Sequence, residues 1–206
     1  MSDEGVSIAV NPYLNGSDAA RMKKARVGIA GAGGLGSNVA QHLVRSGIGS
    51  LVICDFDVVT RSNLNRQFYF ADQIGMKKTA ALAENLLRIS GETVLDMRDV
   101  RIDETNAAGI FRGCDIVVEA FDSAAAKAML VSALAPTGVK IVAASGIAGA
   151  GASGRISMRR IGANVYMAGD AERGVSSNEP PLSPRVGIAA AMEANTVLAI
   201  LLGKEI

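Results

Sequence analysis

Cysteine and histidine are scarce in this chain, and the scarcity excludes whole classes of chemistry. There are two cysteines, Cys54 and Cys114, and one histidine, His42. No C-x-x-C pair occurs, so a structural zinc site built from Cys and His cannot be assembled, and no zinc is expected. Both cysteines adjoin apolar strand-like runs and read as buried, inert thiols in a reduced, cytoplasmic protein. His42 lies within a helical stretch and reads as a helix-surface residue, not a catalyst. Excess charge is also missing. Lys+Arg number 21 and Asp+Glu 20, a formal net charge of +1. No long-range field therefore favours nucleic acid or an anionic membrane. No apolar run approaches the roughly 20 residues needed to cross a bilayer, so no membrane span is expected. The start, MSDEGVSIAV, is acidic and lacks the basic stretch and apolar block of a secretory signal.

What is present is a globular composition, 49% apolar and 20% charged over 206 residues. No repeat or linker interrupts it, so one domain spanning 1–206 is expected, with residues 1–25 as an N-terminal arm. The chain is organised around Arg26 to Ser37, RVGIAGAGGLGS. Val27 to Ala30 reads as a buried parallel strand. Gly31, Gly33, Gly34 and Gly36 read as a tight turn feeding a helix from about Leu35 to Ser46. This is the strand, turn and helix start of a nucleotide-binding βαβ unit, in which backbone N–H groups face a phosphate. An acid is expected roughly 20 residues on to hold ribose hydroxyls. Asp55 stands there, after the strand Ser50–Cys54.

Further elements alternate in the same way. Ser17-Asp18 is expected to cap a short helix, Ala19–Lys24, after turns at Asn11–Gly16. Helices are expected at 77–89, 105–111, 124–135 and 185–202, and strands at 94–98, 115–119 and 140–145. Alternation of this kind means a Rossmann-like, doubly wound α/β sheet, mostly parallel. Residues 154–160 and 164–167 alternate in polarity like antiparallel strands that extend it. The long segment Phe56–Gly75 has little period, is polar at first and then carries Phe68-Tyr69-Phe70. Such a segment inside a domain points to function.

A glycine turn alone suggests a nicotinamide enzyme. Hydride chemistry then needs a catalyst, and none is visible. Tyr13, Tyr69 and Tyr166 have no lysine three or four residues on, and the histidine is misplaced. The polar segment argues for a different ligand. Asn63, Arg66, Gln67 and Lys78 supply donors and two fixed cations, and these suit a triphosphate better than a dinucleotide's diphosphate bridge. Asp122 follows the fourth strand, where ligands bind in open α/β sheets, and a carboxylate beside a polyphosphate suits Mg²⁺. Asp122 also suits the N-cap of the helix that follows.

Taken together, Gly31-Ala-Gly-Gly-Leu-Gly-Ser37, Asp55-Phe-Asp57, Ser62-Asn-Leu-Asn-Arg-Gln67 and Gly75-Met-Lys-Lys78 resemble the adenylating domain of the ThiF, MoeB and ubiquitin-activating-enzyme superfamily. The ending, Pro184 to Asn195, is similar to the short, zinc-less ThiF type. The resemblance implies ATP-dependent adenylylation of the C-terminal Gly-Gly carboxylate of a small ubiquitin-like sulfur carrier, in thiamin thiazole formation. It implies nucleotide binding by Gly31, Gly33, Gly34, Gly36, Asp55, Asp57, Ser62, Asn63, Arg66, Lys78 and Ser123. Arg66, Lys78 and Asp122 take the catalytic roles, with Mg²⁺ on Asp122. It also implies a homodimer, and Arg21 is the one candidate for an arginine lent to a neighbouring subunit. The departures are specific. Residues 146–184 hold no cysteine, so sulfur would come from another protein. Lys127 stands where relatives have an arginine, and Ser123 where they have asparagine. A tRNA threonylcarbamoyladenosine dehydratase has a similar loop and is the alternative within the superfamily; the charge of +1 speaks against it. A nicotinamide-dependent reductase and a non-catalytic scaffold are the alternatives outside it.

Overall fold

Both faces of the central strands are apolar because both are covered. In β1 (Arg26–Ala30) and β2 (Ser50–Cys54), the last four residues of each are fully buried. Alternate residues serve different layers. Val27, Ile29, Leu51, Ile53, Ile116 and Val118 join one apolar cluster, and Ala30, Val52, Cys54 and Val117 join the other. A continuous apolar run is the signature of a parallel strand packed on both sides.

The computed structural model describes residues 14–172, 174 and 178–206. The turns expected at 11–13, and Ser176 and Ser177 of the late loop, lie outside the described residues. Beyond β1 and β2 the strands are β3 (Val94–Arg98), β4 (Ile116–Glu119), β5 (Lys140–Ala144), β6 (Ser157–Ile161) and β7 (Val165–Gly169). They form one seven-stranded sheet in the order β3-β2-β1-β4-β5-β7-β6. Neighbours are parallel except β6, which runs antiparallel to β7. The expected antiparallel pair is therefore present as a hairpin, but its second strand joins β5 in parallel. The order reverses between β1 and β4, which makes the C-terminal ends of these strands the ligand-binding crevice of a doubly wound sheet.

The helices are α1 (Gly16–Lys24), α2 (Gly34–Arg45), α3 (Lys78–Leu87), α4 (Ala107–Ile110), α5 (Ala124–Leu134) and α6 (Ser183–Leu202). Asn15, not Ser17 or Asp18, caps α1, accepting from the Asp18 N–H at 2.8 Å. α2 and α6 pack together on one face, and α4 and α5 serve the other. Contrary to the sequence expectation, α6 has 20 residues and is long and apolar enough to cross a membrane by length and composition, even though Arg185 and Glu193 break its apolar run. It is packed against α2, β5, β7 and α1, and it carries the buried Arg185 and Glu193. Arg21 of α1 donates to Leu202 O at 3.4 Å, so it lies against its own subunit's α6. Cys54 is buried, and desolvation pushes its thiol up to about 11. Desolvation raises the Cys114 thiol as well.

Candidate ATP site at the strand ends

The turn between β1 and α2 is built by close approach. Gly31 has φ +101°, a left-handed conformation that favours glycine, and its N–H donates to Cys54 O at 2.8 Å. A Cβ on Gly36 would lie 1.8 Å from Gly31 O, so no other residue fits there without moving backbone. Helix α2 begins at Gly34 with Gly33 as N-cap, and no side chain caps it. Its first N–H groups remain available for an anion.

Asp55 holds this turn to β2. Its carboxylate accepts from the Ala32 N–H at 2.7 Å and from the Asp57 N–H at 2.8 Å. Tyr69 fixes the other side of Ala32, donating to its carbonyl at 2.7 Å. That hydroxyl is buried, and desolvation, with Asp55 and Asp57 nearby, pushes its pKa far up, so it remains a donor.

The polar segment after β2 is knitted onto α2. Asn38 donates to Gly34 O at 2.6 Å and to Arg66 O at 2.9 Å. Ser37 accepts from the Phe68 N–H at 3.0 Å. The Arg66 side chain passes 3.5 Å from the position of a Cβ on Gly34, so it borders the N-terminus of α2. Its guanidinium donates to Ser62 O at 3.2 Å and Asn65 Oδ1 at 2.7 Å. Asn63 Oδ1 accepts from the Thr60 N–H at 2.9 Å, and Ser62 Oγ pairs with Thr60 Oγ1 at 2.9 Å. Lys78 is buried, and its Nζ donates to Asp57 Oδ2 at 2.8 Å. The cation expected at Lys78 for a polyphosphate is paired with Asp57, a partner not foreseen in the sequence.

β4 brings the remaining residues to the same crevice. Ala120 N–H donates to Ala30 O at 3.0 Å, and Ala120 O lies 3.0 Å from a Cβ on Gly31. Asp122 follows, exposed, with no hydrogen bond or ion pair among the described residues. Ser123 is the N-cap of α5, accepting from the Ala126 N–H at 3.1 Å, so the cap expected of Asp122 is made by its neighbour. Lys127 is turned away from Asp122 to the buried Glu119, at 2.9 Å. Glu119 follows Val117 on the layer that α5 covers, and so meets Lys127. Desolvation raises its pKa, against the pull of Lys127.

Mg²⁺ takes one or two carboxylates and fills its octahedron with water and phosphate oxygens. Among the described residues no three His, Cys, Asp or Glu side chains converge to hold a metal by themselves. An exposed, uncommitted carboxylate fits an ion that a polyphosphate brings with it. Asp122 is such a group.

Gln67, one of the donors expected from the sequence, is buried beside Gly33 with its Oε1 unpartnered among the described residues. Two further features are not visible in the sequence. Glu193 is fully buried on α6 with both carboxylate oxygens unpartnered among the described residues, and desolvation raises its pKa strongly. Arg185 and Asp170 form a buried ion pair at 2.6 Å. A polar residue inside the apolar helical period was the available signal for Arg185 and Glu193. A cavity of about 380 Å³, lined by Phe111, Arg112 and Cys114, lies at the opposite, N-terminal ends of β4 and β5 and includes none of the expected site residues.

A model of the ThiF family matches residues 8–206. The chain belongs to the ThiF family. It is 37% identical over 128 residues to an adenylyltransferase and sulfurtransferase, MOCS3, of Caenorhabditis briggsae, covering 61% of this chain and 32% of that protein. With the adenylyltransferase and sulfurtransferase UBA4 of Candida glabrata it shares 29% identity over 194 residues, 89% of this chain and 44% of the other. The ThiF-family chain thus spans less than half the length of these curated relatives. Its fold matches that of E. coli tRNA N6-threonylcarbamoyladenosine dehydratase, TcdA, in complex with AMP, with a TM-score of 0.83 and 21% identity over 91% of this chain and 90% of the other. At that identity the likeness is one of fold.

Proposed function

We propose that this ThiF-family chain adenylylates the C-terminal carboxylate of a small ubiquitin-like sulfur carrier at the expense of ATP. The observation that carries the reading is the convergence of the uncapped α2 N-terminus, Asp55 and the Arg66 and Lys78 cations at the ends of β1 and β2. The adenylyltransferases of Caenorhabditis briggsae and Candida glabrata that the chain resembles support the same reading.

In this reading Gly31, Gly33, Gly34 and Gly36 let the phosphates approach the backbone. Asp55 faces the ribose, with Asp57 beside it. Ser62 and Asn63 shape the turn that presents Arg66, and Arg66 and Lys78 neutralise the polyphosphate. Ser123 orients the segment that bears Asp122. A carboxylate oxygen of the carrier attacks the α-phosphorus, a P–O bond forms, and the bond from that phosphorus to the bridging oxygen breaks. The electron pair leaves with pyrophosphate. The nucleophile is already ionised at neutral pH, so no general base is needed. The work is positioning and charge neutralisation. Asp122 is the side chain that would hold Mg²⁺ accompanying ATP, and the ion would supply charge neutralisation on the polyphosphate.

The pathway assigned is thiamin thiazole formation, with sulfur delivered by a separate donor protein. The chain acts as a cytoplasmic homodimer in this reading; sedimentation velocity tests the assembly.

The deciding assay is ATP–pyrophosphate exchange with a purified Gly-Gly-ended carrier. Carrier-dependent exchange is expected. Exchange stimulated by tRNA and not by carrier supports the dehydratase reading instead. No exchange, with NAD(H) binding, overturns the proposal.

A further inference from the structure

Among the described residues, the largest fully buried side chain is a charged one. Arg185 is 1% exposed and lies in the first turn of α6. A cation there opposes the helix dipole, and a guanidinium out of water is costly unless its donors are answered; both Nη groups are answered, and Nε has no partner among the described residues. Its partners come from two other segments. One Nη donates to Gly151 O at 2.6 Å and Ala152 O at 3.4 Å. The other donates to Gly146 O at 3.2 Å and to Asp170 Oδ2 at 2.6 Å. The planar fork of arginine reaches all four acceptors from one stem; the point charge of lysine does not.

The clamped segments fit closely. Loop 146–152 leaves the C-terminal end of β5, and Asp170 follows β7. A Cβ on Gly146 would lie 2.2 Å from Asp170 Oδ1, and one on Gly169 would lie 1.6 Å from Ser145 O. The Gly149 N–H donates to Pro180 O at 3.0 Å, so the same loop is also tied to the approach to α6. The clamp is one residue from the glycine turn. Val186 Cγ1 lies 3.2 Å from a Cβ on Gly34, on the side of Gly34 that faces α6.

We infer that Arg185 and Asp170 are positioning residues that lock loop 146–152 to the first turn of α6, and so fix one rim of the passage by which the acceptor carboxylate reaches the nucleotide. The inference rests on the adenylylation reading for its acceptor, but the lock itself does not. Arg185 touches no reacting atom. It acts by holding the rim next to Gly34, and its loss misplaces the acceptor more than the nucleotide.

Arg185→Lys tests this, with Asp170→Asn as the second variant. Hydrogen exchange followed by mass spectrometry reads the lock without any substrate. In the unaltered chain the Gly149 and Ala171 amides are expected among the well-protected ones. In Arg185→Lys, peptides covering 146–152 exchange faster while those of β1 and α2 do not. In carrier-dependent pyrophosphate exchange, KM for the carrier rises about tenfold or more in each variant and KM for ATP stays within about twofold. Unprotected Gly149 and Ala171 amides in the unaltered chain overturn the lock, even if neither variant folds. Equal shifts in the two KM values, or none, overturn the positioning role. If no exchange activity exists with any carrier, the adenylylation reading fails, and the exchange pattern at 146–152 still decides the lock.

Discussion

The Nζ of Lys78 lies 2.8 Å from Asp57 Oδ2, and the two partners differ sharply in exposure: the lysine side chain is 7% exposed and the aspartate 51%. The buried partner is aimed and the exposed one is not. Asp57 can turn into water at little cost, whereas Lys78 has no other place to go. In the adenylylation reading, a polyphosphate oxygen entering the crevice would find an ammonium group already oriented, with a carboxylate it can displace. Without an anion, Asp57 keeps the buried cation compensated.

Lys78→Ala is expected to lower kcat/KM for carrier-dependent pyrophosphate exchange about 10²- to 10³-fold, the usual loss for one preorganised charge. The variant still folds, because the group it strands is the half-exposed Asp57. Far-ultraviolet circular dichroism checks the fold and the exchange assay checks the role. Exchange at the unaltered rate removes Lys78 from the site.

The glycine turn makes a sharper comparison possible. A Cβ on Gly36 would sit 1.8 Å from Gly31 O, whereas the nearest atom to one on Gly33 is Gln67 Nε2, at 4.0 Å. Gly36→Ala must push backbone aside and is expected to cost about 1–3 kcal/mol or more. Gly33→Ala is expected to leave urea unfolding within about 0.5 kcal/mol of the unaltered chain. It places a methyl where backbone faces the ligand, and weakens ATP binding. Isothermal titration calorimetry and urea denaturation on the two variants read these separately. Equal stability losses would show that Gly33 is a packing glycine as well.

Glu193 gives stability a pH dependence of predictable sign. Its folded pKa is raised, first by desolvation and then by Glu119, with Lys127 opposing. Between the ordinary carboxylate range and the raised value, the folded state holds a proton that the unfolded chain has released. Stability therefore falls as pH rises through that window. Glu193→Gln carries no charge at any pH and removes this slope. Melting temperatures of the two proteins should be close near the ordinary carboxylate pKa and diverge in favour of the variant towards neutral pH. Each kcal/mol recovered is worth about 2–4 °C in a chain of this size. A residual slope from Glu119 remains in the variant. A variant that melts lower at neutral pH would mean that Glu193 has a partner when ionised.

What was legible in the sequence was what depends on neighbours in the chain. β1, β2, β4 and β5 were readable because each is a short apolar run between turns, and the parallel sheet follows from their alternation with helices. The glycine turn, Asp55 and the Asn63 to Arg66 segment were readable because they are local motifs. Pairing was not. That β7 joins β5 in parallel depends on how the chain returns across the sheet, and no periodicity encodes that. Lys78 was identified without Asp57 as its partner, since 21 residues and a whole loop separate them. Glu119 with Lys127, and Asp170 with Arg185, are visible only when packing has brought their elements together. Ser123 shows the limit at single-residue scale. Asp122 and Ser123 both suit an N-cap, and backbone geometry chose the serine.

That choice leaves Asp122 without a structural task, and this makes its role testable. It is exposed, follows the end of β4 beside Gly31, and makes no hydrogen bond or ion pair among the described residues. Asp122→Ala therefore strands no partner, and its melting temperature should match the unaltered chain to within about 2 °C. If Asp122 holds the ion that accompanies ATP, carrier-dependent exchange should fall to background at ordinary magnesium. Raising magnesium should recover part of the activity in Asp122→Asn, which keeps one ligating oxygen, and little in Asp122→Ala. If Asp122→Ala exchanges normally, the metal assignment is wrong. The crevice at β1 and β2 must then neutralise the polyphosphate with Arg66, Lys78 and the α2 N-terminus alone.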